Sequence, residues 1–289
     1  MKAVIPAAGH GTRLLPATKA QPKEMLPVVD KPAIQYVIEE AVNCGIDDIL
    51  IITGRGKRAI EDHFDRHIEL EASLKEDKKH EYLAQIKSIA DLADIHYTRQ
   101  KETKGLGHAI YCARKFVGAE PFLVLLGDTI SVGDIPCSKQ LLDAYEKYQA
   151  TIIGVEQVPL ELANRYGIIS GSKLEDGVIK VDGLVEKPSC EEAPSNLAIF
   201  GRYILTPDVF ASIEKTKPGK SGEVQLTDAL ANMLPGKEIY AVEVRSERYD
   251  TGSKIDWLIA NIELALKREE LRPQLVKYLQ ELQTNLKPK

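Results

Sequence analysis

Cysteine is scarce in this chain, with 4 residues among 289. No two of them form a C-x-x-C pair, so the sequence indicates neither a zinc ribbon nor a redox dithiol. We expect reduced and mostly buried thiols at these four positions, which are Cys44, Cys112, Cys137 and Cys190.

Long apolar runs are also missing. Beyond the N-terminal segment the longest run covers residues 122–126, which is far too short to cross a bilayer. Residues 1–12 do not resemble a secretory signal, because glycines and Arg13 interrupt a short apolar run. We therefore expect a cytoplasmic protein that has no membrane partner.

The chain has no excess of basic residues. Its formal net charge is −5 and its isoelectric point is about 5.8. A nucleic-acid surface needs clustered Lys and Arg to displace counterions, so we expect no nucleic-acid partner. A small anionic ligand needs only local positive charge, and Arg13, Lys23 and Lys187 are candidates to supply it.

The most informative segment is the glycine-rich stretch at residues 2–15. Val4 and Ile5 predict the end of a buried strand, and the small residues that follow leave backbone N–H groups open to a polyphosphate. The stretch lacks the third glycine of a dinucleotide-binding loop and the Gly-Lys-Ser/Thr of a P-loop. The alternative interpretation is a tight corner with no ligand.

A basic segment follows at residues 19–27. Pro22 and Pro27 hold the backbone extended, so Lys23 is expected to project from a fixed point. Alone, this pattern is also typical of a solvated basic loop. Beside the glycine-rich stretch, it favours a phosphate site.

Apolar periodicity alternates between helix and strand from residue 30 onward. This predicts an α/β fold with a Rossmann-like, mixed but mainly parallel sheet and helices on both faces. Strands are predicted at 48–53, 95–100 and 122–128. Helices are predicted behind Pro32, with Gly45 as the C-cap glycine, around Ile60, Phe64 and Ile68, at 69–91 and at 107–117.

The pattern changes at residues 151–206. Short β-rich runs are separated by Asp176-Gly177 and Asp182-Gly183, which favour tight hairpin turns. They predict a small antiparallel addition that forms the second wall of a cleft. A helix at 223–234, a strand at 239–244 and a helical tail at 253–285 follow. The tail carries an apolar stripe that should pack on the body or on a second subunit, formed by Ile255, Leu258, Ile259, Ile262 and Leu266.

Asp128 and Asp250 are the strongest candidates for a metal site. Asp128 ends an apolar strand, and Asp250 follows the last predicted strand. Ligands of open α/β sheets collect beyond the carboxyl ends of the strands. Mg²⁺ accepts one or two carboxylates together with phosphate oxygens and water, so the pair predicts a magnesium ion beside the phosphate loop. An isolated aspartate in such a place is more typical of a cap or a turn, and the pair beside a phosphate loop is what favours a metal.

Two further groups are candidates for binding a nucleotide and a sugar phosphate. Gln100 presents a donor and an acceptor in one plane, which suits the edge of a pyrimidine, and Gly105 permits close approach of the backbone. Glu186 offers an acceptor for sugar hydroxyls, and Lys187 offers an ammonium for a phosphate. The alternatives are a turn before a helix and an ordinary surface Glu-Lys pair.

The whole chain resembles the bacterial type of UTP:glucose-1-phosphate uridylyltransferase, within the sugar-phosphate nucleotidyltransferases. Several motifs carry the resemblance, namely GHGTRLLPATKAQPKEMLPVVDKPAIQY, KGLGHAIYCA, YGII, VEKP, APSNLAIFGRYIL, GEVQLTDAL and YDTGSK. It implies one domain over residues 1–289, with a nucleotide-binding part at 1–150, a sugar-phosphate-binding part at 151–250 and a helical tail at 251–289.

The resemblance also implies roles for single residues. Ala8, Gly9, Gln100 and Gly105 would hold uracil, with Glu24 nearby. Gly167 and Glu186 would face glucose, and Lys187 its phosphate. Asp128 and Asp250 would hold Mg²⁺. The phosphates of UTP would lie against Gly11, Thr12, Arg13 and Lys23, and the catalytic group would be Arg13, Lys23, Asp128 and Lys187.

The implied reaction is a direct displacement, in which glucose 1-phosphate attacks the α-phosphorus of UTP. A phosphomonoester is largely dianionic at pH 7, so no general base is needed. The alternatives are a thymidylyltransferase or adenylyltransferase, and a non-catalytic regulatory nucleotide-binding protein. A homo-oligomer, either a dimer or a tetramer, is expected.

Overall fold

The computed structural model describes residues 1–219 and 222–286. The strands, in chain order, are β1 (Lys2–Pro6), β2 (Pro27–Val28), β3 (Lys31–Pro32), β4 (Asp48–Thr53), β5 (Asp94–Arg99), β6 (Phe122–Leu125), β7 (Thr129–Val132), β8 (Thr151–Gln157), β9 (Gly167–Glu175), β10 (Val178–Glu186), β11 (Leu197–Leu205), β12 (Ile239–Glu243) and β13 (Glu247–Asp250).

The helices alternate with these strands through most of the chain. They are α1 (Ala33–Asn43), α2 (Arg58–Phe64), α3 (Ile68–Glu76), α4 (His80–Ala90), α5 (Leu106–Cys112), α6 (Arg114–Val117), α7 (Cys137–Tyr148), α8 (Asp208–Lys215), α9 (Leu226–Ala231), α10 (Lys254–Leu266) and α11 (Arg272–Leu286).

Nine strands form one mixed sheet in the order β5-β4-β1-β6-β11-β8-β12-β10-β9. The first four are parallel to one another. β11 runs antiparallel to β6 and β8, and β12 is parallel to β8. The β9–β10 hairpin closes the far edge in antiparallel pairing. The predicted α/β fold is confirmed, and the antiparallel part continues the same sheet.

Both faces of the sheet are covered by helices. Alternate side chains of a strand point to opposite faces, so Val4 of β1 joins one apolar cluster while Ala3 and Ile5 join the other. Helices α5, α8 and α9 pack on the first face, and α1 and α7 on the second. The carboxyl ends of the parallel strands are left open for a ligand.

The structure contradicts one of the two predicted hairpin turns. Asp176-Gly177 does join β9 to β10, with Gly177 at φ +72°. Asp182 and Gly183 instead lie inside β10, where the register with β9 shifts between Val181 and Gly183. The Ser170 hydroxyl donates to Asp182 Oδ1 at 2.6 Å. Asp-Gly here forms a bulge, which uses the same small, turn-prone residues.

Several predicted helices are shorter than their apolar patterns. The helix carrying Ile60 and Phe64 ends at Phe64, and Ile68 begins the next helix. The charged segment at 69–91 breaks at Lys78, which has φ +57°. The predicted 107–117 and 253–285 helices are each divided in two. Apolar periodicity continues across short breaks between helices, so the sequence pattern does not show where these helices end.

The apolar stripe of the tail does not pack on the body along most of its length. Ala260 and Leu264 are buried beside Val28 and Tyr249. In contrast, four stripe residues remain between 40% and 61% exposed, and these are Ile255, Leu258, Ile259 and Ile262.

Across residues 1–219 and 222–286, no helix is both long and apolar enough to span a membrane. The thiols are less buried than expected, since only Cys137 is fully buried and Cys190 is exposed.

A buried ion pair lies beneath the end of β6. The Arg202 side chain is fully buried, and its Nη2 atom lies 2.7 Å from Glu40 Oε2. The same Nη2 donates to the Thr129 carbonyl at 2.7 Å. Glu40 Oε1 also accepts from the Ser138 backbone N–H at 3.0 Å. The pair therefore links β11, α1 and α7 to the residue that follows Asp128.

Candidate active site

The glycine-rich stretch forms an open loop at the carboxyl end of β1. Gly11 adopts φ +66°, which glycine tolerates better than other residues, and its carbonyl accepts from Thr18 Oγ1 at 2.7 Å. A 3-10 turn at Thr12–Leu14 follows and leaves Arg13 exposed. The loop is therefore held by its own contacts while its outer side stays accessible.

Asp128 and Asp250 are brought together by the two-stranded ribbon of β7 and β13. In its antiparallel register Asp250 lies opposite Thr129, which immediately follows Asp128. The Thr251 N–H donates to the Asp128 carbonyl at 2.9 Å. Residues 122 positions apart in sequence thus become neighbours because two short strands pair.

Gly252 lies where the charged side chains converge. A Cβ atom on Gly252 would lie 2.8 Å from Asp250 Oδ1, 2.9 Å from Arg13 Nη2 and 3.1 Å from Asp128 Oδ2. These three atoms therefore surround one small space. Lys23 joins them, with its Nζ atom 2.5 Å from Asp128 Oδ2.

The two carboxyl groups have opposite pKa shifts. Burial acts to raise the pKa of Asp128, but the nearby Lys23 and Arg13 outweigh it and hold that pKa below its usual value. Burial raises the pKa of Asp250, and the negative charge of Asp128 raises it further. Burial lowers the pKa of Lys23, but Asp128 outweighs this effect and raises it. The cations near Asp250 therefore do not offset its burial and the charge of Asp128.

This donor set fits a magnesium ion that shares its coordination with a substrate. Among the residues that the structure describes, no group of three or more His, Cys, Asp or Glu side chains could hold a metal alone. Mg²⁺ commonly takes only one or two carboxylates and completes its octahedron with phosphate oxygens and water. Two converging carboxylates beside a phosphate-type loop meet that requirement.

Gln100 lies just beyond β5, next to Gly105. Its Nε2 atom donates to the Gly105 carbonyl at 3.1 Å and lies 2.9 Å from His108 Nδ1. Both amide hydrogens are therefore engaged. Within the described residues its side-chain carbonyl accepts no hydrogen bond, so it is available to an N–H group of a ligand.

The other residues predicted to hold the base lie close to Gln100. Ala8 is buried and Gly9 is exposed in the loop after β1. Glu24 is buried, and its Oε2 atom lies 2.7 Å from Lys57 Nζ. Burial raises the pKa of Glu24, although Lys57 and Lys23 act to lower it. Lys57 is therefore a partner of the site that the sequence did not reveal.

The wall of the cleft that was predicted to face a sugar is built on the β9–β10 pair. Gly167 lies opposite Glu186 in the register, and a Cβ atom on Gly167 would lie 2.8 Å from Ile199 Cδ1. The Thr227 hydroxyl donates to Glu186 Oε2 at 2.7 Å. The exposed Lys187 follows directly, with its Nζ atom 3.2 Å from Glu186 Oε1.

Two adjoining cavities, of about 380 and 480 Å³, form the cleft. They share Asp128 and Lys187, and Gly11 and Thr12 border neither of them. All the other predicted site residues line at least one of the two, and these are Ala8, Gly9, Arg13, Lys23, Glu24, Gln100, Gly105, Asp128, Gly167, Glu186, Lys187 and Asp250.

Thr227, which lines this cleft, and Gly252, which lies beside the two aspartates, were missed at the level of single positions. Thr227 lies in GEVQLTDAL and Gly252 in YDTGSK, so both belong to segments that carry the resemblance. The signal was present in the motifs, but their contacts with Glu186 and with the two aspartates depend on the folded chain.

The fold and the cleft define an α/β protein that binds phosphate-bearing ligands at the carboxyl ends of its strands. The family model described as "Nucleotidyl transferase" matches residues 2–266. The chain is 54% identical over 281 residues to a UTP–glucose-1-phosphate uridylyltransferase of Bacillus subtilis (strain 168), covering 97% of this chain and 96% of that protein. A protein of the same name from Staphylococcus haemolyticus is 52% identical, with 97% and 98% covered.

Solved structures agree with this match. A crystal structure of UDP-glucose pyrophosphorylase complexed with UDP-glucose has a TM-score of 0.84 and 46% identity, covering 92% of this chain and 99% of that one. UTP-bound UGPase from Acinetobacter baumannii has a TM-score of 0.89 and 40% identity, with 97% and 99% covered. The chain belongs to the nucleotidyl transferase family, which confirms the resemblance seen in its motifs.

Proposed function

We propose that the protein transfers the uridylyl group of UTP to glucose 1-phosphate, forming UDP-glucose and pyrophosphate, with Mg²⁺ as its cofactor. The observation that carries this proposal is the convergence of Asp128, Asp250 and Arg13 around Gly252. The same cleft holds Lys187. Such a site can hold two anionic substrates and a divalent cation together. The printed names of the relatives support the choice of substrates.

The engaged amide of Gln100 supports a pyrimidine base. The side-chain carbonyl of Gln100 has no hydrogen-bond partner among the described residues, so it is the group left for a ligand. Uracil and thymine each carry a ring N–H donor at N3. Adenine has the ring acceptor N1 in the place of that N–H, which would repel this carbonyl, and its donor at this edge is the exocyclic amino group instead. UTP is preferred over dTTP because the relatives carry names that specify UTP.

The chain's own residues would act by binding and by charge stabilisation. Lys187 would hold the acceptor phosphate, while Arg13 and Lys23 would bind the phosphates of UTP and stabilise the departing pyrophosphate. The acceptor is largely dianionic at pH 7 and attacks the α-phosphorus in line without a base. Gln100 and Gly105 would orient the uracil, and Gly167 and Glu186 the glucose.

Asp128 and Asp250 are the residues that would hold Mg²⁺. Their side chains converge on one space, and burial, together with the negative charge of Asp128, raises the pKa of Asp250. When bound, the ion would polarise phosphate oxygens and neutralise charge on the leaving group.

Initial rates with UTP, dTTP and ATP test the choice of base. We expect UTP to give the highest kcat/KM with glucose 1-phosphate, and ATP to give almost no turnover, because adenine has the acceptor N1 where uracil has its N3–H donor. The measurement is pyrophosphate release at fixed Mg²⁺. A higher kcat/KM with dTTP would overturn the choice of UTP, and efficient use of ATP would overturn the proposed role of Gln100. A wild type that converts none of them would support a regulatory binding protein.

Thr227→Val tests the proposed sugar contact. The substitution removes the hydroxyl that donates to Glu186 at 2.7 Å while keeping the side-chain shape. Losing a hydrogen bond to a charged group costs about 1.5–3 kcal/mol. We expect the KM for glucose 1-phosphate to rise roughly tenfold, with little change in the KM for UTP. An unchanged KM for glucose 1-phosphate would contradict the proposed contact between Glu186 and the sugar.

We further propose a homo-oligomer, supported by the exposed apolar residues of α10. Ile255, Leu258, Ile259 and Ile262 lie on one helix and are at least 40% exposed, and contiguous apolar patches of this kind are typical of protein interfaces. Sedimentation of the wild type and of Ile259→Glu would test this. Cytoplasmic location stays a prediction from the sequence.

A further inference from the structure

Arg165 lies in the cleft but has no role in the function proposed above. It ends a 3-10 turn at Leu160–Arg165 and borders both cavities, together with Asp128 and Lys187. Its side chain is 30% exposed. It is therefore a partly exposed cation that borders the cleft.

The hydrogen bonds of Arg165 leave much of its guanidinium unused. Its Nη2 atom pairs with Asp256 Oδ2, and the same atom lies 3.6 Å from Asp250 Oδ2, which is beyond hydrogen-bond distance. Within the described part of the chain, its Nε and Nη1 atoms make no hydrogen bond. A guanidinium has five N–H donors, so most remain available.

A neighbouring arginine shows what a fully structural role looks like. Arg248 is only 9% exposed, pairs with Glu156 and donates from Nη1 to the Ile199 carbonyl at 3.2 Å. Its guanidinium also lies 4.0 Å from the centre of the Tyr166 ring. Arg248 therefore has several close partners, whereas within the described residues Arg165 has one hydrogen-bond partner, Asp256, and lies farther from the Tyr166 ring, at 5.5 Å from its centre.

The backbone places Arg165 at the same end of the cleft wall as Lys187. The Lys187 N–H donates to the Tyr166 carbonyl at 3.0 Å, and Tyr166 directly follows Arg165. Gly167 and Glu186 form the next pair of the ladder. Both cations border the same two cavities, next to the residues expected to face the sugar.

We propose that Arg165 is a further substrate-binding residue, whose unused N–H groups donate to the phosphate of the acceptor sugar phosphate beside Lys187. This rests on the proposed function. Arginine is suited to the task because its planar fork can bind two oxygens of one phosphate. Asp256 anchors the guanidinium from behind, and Ser253 Oγ holds Asp256 at 2.5 Å. Anchoring reduces the freedom that Arg165 would lose on binding.

Steady-state kinetics of Arg165→Met, Arg165→Lys and Asp256→Asn test the proposal. Arg165→Met should raise the KM for glucose 1-phosphate by about tenfold to a hundredfold, with the KM for UTP within about twofold of the wild type. Arg165→Lys keeps the positive charge but loses the planar guanidinium fork, so its KM for glucose 1-phosphate should lie between those of the wild type and Arg165→Met. Asp256→Asn removes the anchor but keeps Arg165, so it should raise the KM for glucose 1-phosphate by no more than about threefold, much less than Arg165→Met does.

Other outcomes would overturn the proposal. If Arg165 only fastens α10 to the body, Asp256→Asn should reproduce the effect of Arg165→Met, with a matching fall in Tm. If it only positions Asp250, Arg165→Met should raise the Mg²⁺ concentration needed for half-maximal rate and leave the KM for glucose 1-phosphate unchanged. If Arg165→Met fails to fold, an unchanged KM in Arg165→Lys would count against the proposal. Failure of the proposed function itself would differ, because the wild type would then not convert UTP and glucose 1-phosphate.

Discussion

Asp128→Asn is expected to reduce kcat by about a thousandfold or more, since the loss of cation-mediated charge stabilisation costs several kcal/mol and each 1.36 kcal/mol is a factor of ten. The amide keeps the shape of the side chain but removes the charge that faces Lys23, Arg13 and Asp250. The measurement is pyrophosphate release under saturating UTP, glucose 1-phosphate and Mg²⁺.

The fold should survive this substitution. Asp128 is only partly buried and pairs with one lysine, and its backbone carbonyl, which accepts from Thr251, is unchanged. We expect Tm to fall by a few degrees at most. Asp143→Asn is the matched control, because Asp143 is an exposed aspartate that also pairs with one lysine. Full activity in Asp128→Asn would remove the proposed metal site.

Arg202→Met is expected to have the largest effect on stability. It leaves the Glu40 carboxylate buried without its partner and the Thr129 carbonyl without its donor. Removing one member of a buried pair costs about 3–5 kcal/mol, which corresponds to a fall in Tm of roughly 10 °C for a protein of this size. Urea unfolding followed by circular dichroism measures the change.

Two further variants separate the buried charge from a simple loss of packing. Glu40→Leu combined with Arg202→Met removes both charges, and should recover part of the lost stability. Arg245→Met breaks an ion pair whose two side chains are 82% and 83% exposed, and should leave the unfolding curve unchanged. A curve for Arg202→Met that overlays the wild type would contradict the prediction.

Local sequence patterns predicted much of the fold and identified most of the residues that line the cleft. The small residues after β1 and Asp128 after β6 each follow a buried apolar run, and parallel strands end at one edge of the sheet. Their proximity therefore follows from the order of the elements. The prediction for Asp250 was less direct, because it assumed that a second aspartate, after the last predicted strand, would reach the same edge of the sheet.

Other features depend on contacts that no local pattern contains. Arg202 lies 162 positions from Glu40, inside a strand whose other residues are mostly apolar, and nothing beside it identifies its partner. Asp182-Gly183 failed as a turn because the same dipeptide suits a bulge, and only the β9–β10 register distinguishes the two. Gly252 matters because of three side-chain atoms that folding brings around it.

The strand order has a consequence for the chain as it leaves the ribosome. β12, which begins at Ile239, lies between β8 and β10. Until β12 emerges, β8 and β10 each have one unpaired edge. At ordinary translation rates these edges stay unpaired for several seconds. Exposed strand edges invite pairing with other chains. Chaperone capture during synthesis should therefore concentrate on nascent chains that end between β10 and β12.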